Sequence, residues 1–162
     1  MGSTVTLNGS IITSNDAITL GAITLGSATT INASSSDTTG DITVGAVTGG
    51  SNSLTLSTGD NVASTDISAN GNISGVTTLT LSDVGGTATF AGDVDVTTLT
   101  VGNTVANVAL NGDGSTVTNT VSFANDGTLQ LADATGDTLT FNGGVTTTGV
   151  GGTVTLNGTI NA

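Results

Sequence analysis

A chain of 162 residues with twelve aspartates and no lysine, arginine or histidine carries a formal charge of −12, which repels a phosphate backbone and argues against nucleic-acid binding. No run approaches the roughly 20 apolar residues of a membrane helix, and with no cysteine there is no disulfide framework. Proline, tryptophan, tyrosine and glutamate are also missing, while 25 glycines and 36 threonines accompany a mean hydropathy of +0.30; the aliphatic residues are patterned, which argues against disorder.

In chain order, Met1-Gly2-Ser3 lacks the basic region and apolar run of a signal peptide and reads as a start joined to an excised segment. Residues 3–12 give a strand, an Asn8-Gly9 turn and a second strand. Residues 17–20 and 22–25 repeat one short phrase around Gly21, and Ile31 stands nearly alone. Residues 33–40 are polar and read as a loop inserted at a corner. Strand pattern resumes at 41–44 and at Leu54/Leu56. Residues 57–75 are the least regular, with short strands at Val62, Ile67 and Ile73 and corners at Gly59-Asp60-Asn61 and Asn70-Gly71-Asn72.

From Val76 the alternation is strong. Val76-Thr77-Thr78-Leu79-Thr80-Leu81 breaks at Gly85-Gly86, resumes to Phe90, and returns as Val96-Thr97-Thr98-Leu99-Thr100-Val101. Similar phrases follow at Val105/Val108/Leu110, Val117, Val121/Phe123, Leu129/Leu131, Leu139/Phe141, Val145 and Val154/Leu156/Ile160.

Period-2 alternation rich in threonine and valine favours pleated strands over helical turns. Glycine and asparagine at the corners fit turns that need positive φ. A sandwich would use aromatic anchors, whereas this chain has three phenylalanines and no other aromatic residue. A parallel β-solenoid instead fills a narrow core with stacked aliphatic side chains. The sequence therefore predicts an all-β fold: a single parallel β-solenoid over 1–162, with about seven coils of roughly 20–25 residues and a length of about 34 Å. Residues 3–11 reappear almost unchanged as 152–160, which reads as a segment of a longer repeat array.

The repeated Leu-Thr-Leu and Val-Thr-Leu-Asn-Gly phrases, the Gly-Asp-Ile/Val corners and Asn142-Gly143-Gly144-Val145 resemble bacterial surface β-helical repeats of the filamentous-haemagglutinin and autotransporter type. The resemblance covers essentially the whole chain in texture, without an invariant signature. It implies a right-handed parallel β-helix acting as the stalk of a large adhesin, at the bacterial surface or secreted. Its partners would be adjacent solenoid repeats and a host or matrix receptor or carbohydrate, with no membrane insertion.

The side chains offer little for catalysis. Asp93 and Asp95, at i and i+2 and expected on one strand face, are the best carboxylate pair for a hydrolase, but as solvated corner residues they need no chemistry. The expectation is a protein that is not an enzyme. Calcium suits hard oxygen ligands, and Asp93, Asp95 and Asp113 are the candidate ligands, with no cofactor required. Thr-x-Thr pairs around a core aliphatic residue turn both hydroxyls outward. Thr78/Thr80, Thr98/Thr100 and Thr138/Thr140 mark a candidate outward face, and the alternative to a stalk is a binding module that uses an acidic or threonine-rich face for carbohydrate, a host receptor or ice. The uneven spacing between pairs speaks against a strict ladder.

Overall fold

Alternating aliphatic and threonine residues form short parallel strands, and each strand hydrogen-bonds to its counterparts one coil before and one coil after. The computed structural model describes residues 4–36, 39–59 and 64–162. Among these, twenty strands form and all their pairings are parallel. The pairings resolve into three strand positions per coil, here the first, second and third faces, giving a parallel β-solenoid of about seven coils.

The first face stacks eight rungs, from Val5–Leu7 and Ile23–Leu25 to Thr138–Phe141 and Thr159–Asn161. The third face stacks seven, from Ile18–Leu20 to Val154–Leu156. The second face begins at Ile11–Ile12 and continues through Thr29–Ser35 and Leu54–Gly59. Two long strands, Ile73–Ser82 and Val94–Val101, bend around a corner and serve the first and second faces in turn. Successive first-face partners lie 18 residues apart from Val5 to Ile23 and 26 apart from Val47 to Ile73. Corners of variable length absorb the difference, so the ladders stay in register.

Aliphatic side chains stack in columns inside the coil. Leu54, Leu79 and Leu99 form one column, and Ile31, Leu56, Leu81 and Val101 another. All are buried. Each such side chain removed from water contributes about 1.5–3 kcal/mol. Phe90, Phe123 and Phe141 fill wider parts of the core, and the rings of Phe123 and Phe141 meet edge to face at 6.3 Å. At the terminal rungs Val5 and Leu156 occupy columns buried in the interior coils, yet they are 45% and 54% exposed because no described coil covers them.

Several local expectations change. Ile31 is not isolated: it is fully buried between Ile11 and Leu56. Ala33, read as part of a loop, is a buried residue of the strand Thr29–Ser35; Asp37 and Thr38 of that stretch lie outside the described residues. So do Asp60, Asn61 and Val62, while Thr58 and Thr65 share a buried hydroxyl hydrogen bond of 2.9 Å. Gly85 and Gly86 do not end the strand. Val84–Phe90 runs through them with a bulge opposite Val105–Leu110.

Candidate functional site

Among the described residues the carboxylates lie at corners, where the chain turns between faces, except that of Asp95, which sits in a strand. Asp93 follows Gly92 at the turn into the first face. Its backbone N–H donates to Asn72 Oδ1 at 3.1 Å, and its Oδ1 accepts from Gly114 N at 2.9 Å. Asp95 lies two residues on, pointing outward from the first-face rung, and its Oδ1 accepts from Thr116 N at 3.1 Å. Each carboxylate therefore bonds a backbone N–H 21 residues ahead, in the next coil. Asp113 is exposed at the corner one coil beyond Asp93. Among the described residues no group of three or more His, Cys, Asp or Glu side chains is placed to hold a metal ion.

The same device recurs along the corner leading to the third face. Asp41 Oδ1 accepts from Asp66 N at 2.8 Å, and Asp66 Oδ1 from Thr87 N at 2.7 Å. Asn107 donates to Gly86 O and accepts from both Thr128 N and its hydroxyl. This corrects the reading of corner residues by φ. Asn15 and Asp83 are the Asn and Asp residues with positive φ among those described; Asp41, Asp66, Asn72, Asp93, Asp95 and Asn107 instead bond a neighbouring coil. Spacings of 21 and 25 residues between Asp and Asn were the available sequence signal.

Threonines occupy the outward positions of the rungs. Thr78 pairs with Thr98, and Thr80 with Thr100, on the second face. Thr138 and Thr140 do not join them: they lie on the first face, where Thr140 stacks on Thr116. The second-face column starts at Thr30 and Thr55 and runs through Thr80 and Thr100. The Val101–Phe123 bridge carries it to Ser122, which pairs with Thr146. Beside it, Thr78 and Thr98 hold the other outward position on two consecutive rungs, and Asn119 follows, its Nδ2 donating to the Thr98 hydroxyl at 2.9 Å. On the first face the equivalent column is interrupted by Asp95, and on the third by Ala109 and Gln130.

A shallow groove of about 300 Å³ lies at the corner between the first and second faces. Gly75 sits at positive φ in the bulge that forms it. Its lining combines hydroxyls of Ser51, Thr77, Thr97 and Thr118 with Asp95, and Thr77 donates to Ser51 O at 2.7 Å. The sequence reading missed this groove, whose signal is the Ser74-Gly75 step before the Val76 alternation.

No protein-family model, curated protein or solved structure matches the chain.

Proposed function

We propose that this chain is a rod segment of a large bacterial surface-anchored or secreted adhesin, spacing an adhesive region from its anchor. The observation that supports this reading is the in-register stacking of eight first-face rungs, with backbone ladders and aliphatic columns running along the coil axis. A solenoid held by nearest-neighbour contacts transmits load coil by coil. Adjacent repeats of a longer chain would cover Val5 and Leu156. The acidic surface repels other rods sideways, and the absence of lysine and arginine leaves trypsin no cleavage site.

Stretching single molecules from both ends tests the mechanical role. Peeling of a 21-residue coil releases about 70 Å of chain. The rod reading expects a series of force peaks at such intervals. A featureless extension at low force would count against a load-bearing shaft.

A further inference from the structure

We propose that the second face binds ice. Six successive rungs present one column of outward hydroxyl side chains, Thr30, Thr55, Thr80, Thr100, Ser122 and Thr146, and Thr78 and Thr98 add a second hydroxyl on two of them. Parallel strands stand about 4.8 Å apart, and alternate residues along a strand about 6.7 Å apart. Both repeats lie close to oxygen–oxygen repeats on the prism plane of hexagonal ice. A lattice of ordered water is therefore a partner that can meet every position of the array at once. Each contact is weak, but simultaneous engagement multiplies them.

Three further observations favour this occupant. The uneven spacing in sequence is removed by the fold: rungs 25, 20 and 22 residues apart carry Thr55, Thr80, Thr100 and Ser122 into one column. Among the described residues the hydroxyls of Thr55, Thr78, Thr80, Thr100 and Ser122 have no hydrogen-bond partner, so they are available to external water. Among the described residues no aspartate lies on the second-face portion of any strand, although the chain carries a charge of −12. Asp95 interrupts the first face, and Asp41 and Asp66 edge the third. Threonine supplies a methyl group beside each hydroxyl, and a charge-free surface does not impose its own hydration on the lattice. Neutral polysaccharide is less well suited, because the chain has no tryptophan or tyrosine to stack on a sugar ring.

The test grows ice slowly in a solution of the 162-residue chain and measures the protein incorporated. The chain should be enriched several-fold in the ice over a non-binding reference protein. T80K combined with T100K should bring incorporation down to the reference level, while T89K on the third face leaves it unchanged. Circular dichroism checks that each variant is folded. Should the lysine pair fail to fold, Thr80→Ser with Thr100→Ser keeps the hydroxyls, removes two methyl groups and should lower incorporation in part. Exclusion of the unmodified chain from ice would overturn the proposal, as would incorporation unaffected by these second-face changes. Retention on crystalline cellulose together with exclusion from ice would overturn it in favour of a sugar ligand.

Discussion

Asn107 shows what a polar corner residue does in this fold. It bonds Gly86 O in the coil before and Thr128 in the coil after, so its loss unpairs backbone groups in both. Asn107→Ala should cost about 1–3 kcal/mol, read from the denaturant midpoint at unchanged m. Asp113, exposed and without a side-chain hydrogen bond among the described residues, is the contrast: Asp113→Ala should stay within about 0.5 kcal/mol of the parent. Equal losses at both positions would show that the inter-coil bonds carry no stability. At this scale the sequence disclosed which residues face inward, because period 2 is local. It did not disclose the partners of Asp41, Asp66, Asp93 and Asp95, because each partner lies a whole coil away.

Corners between the third and first faces depend on close approach of successive turns. A Cβ on Gly112 would lie 2.5 Å from Gly92 O, and one on Gly71 would lie 2.7 Å from Ala46 N. The space above Gly21 is open. Gly112→Ala should therefore destabilise by about 1–3 kcal/mol through overpacking, whereas Gly21→Ala should be neutral or stabilise by up to about 1 kcal/mol; thermal melts of the two variants separate them. Strands were legible where alternation ran long, as at Val76 to Leu81. They were less legible at Ile67–Ala69, a strand of three residues. The repeated Val-Thr-Leu-Asn-Gly phrase was misleading as a marker of coil position: Val5–Leu7 lies on the first face and Val154–Leu156 on the third. The phrase specifies a strand and its turn, and the corner lengths decide which face receives it.

At the scale of the molecule, the coil count was readable from the return of aliphatic phrases every twenty or so residues. The division into three faces was not, because corner lengths differ from coil to coil. Asp93 and Asp95 already accept backbone N–H bonds across coils, so the rod reading assigns them to holding the stack. Millimolar calcium or a chelator should then leave the melting temperature unchanged, whereas a saturable rise with calcium would make these aspartates ligands. The claim beneath both the shaft and the hydroxyl array is that the coils stack in the stated register, and engineered disulfides test it most directly. The chain has no native cysteine to interfere. T80C with T100C joins neighbouring rungs about 4.8 Å apart, within the roughly 4.4–6.8 Å that a disulfide spans between Cα atoms. T80C with S122C places the thiols two rungs apart, about 9.6 Å. The first pair should close intramolecularly on mild oxidation without loss of fold, and the second should stay reduced. Closure of the second pair, or failure of the first, would contradict the stacking on which the account rests.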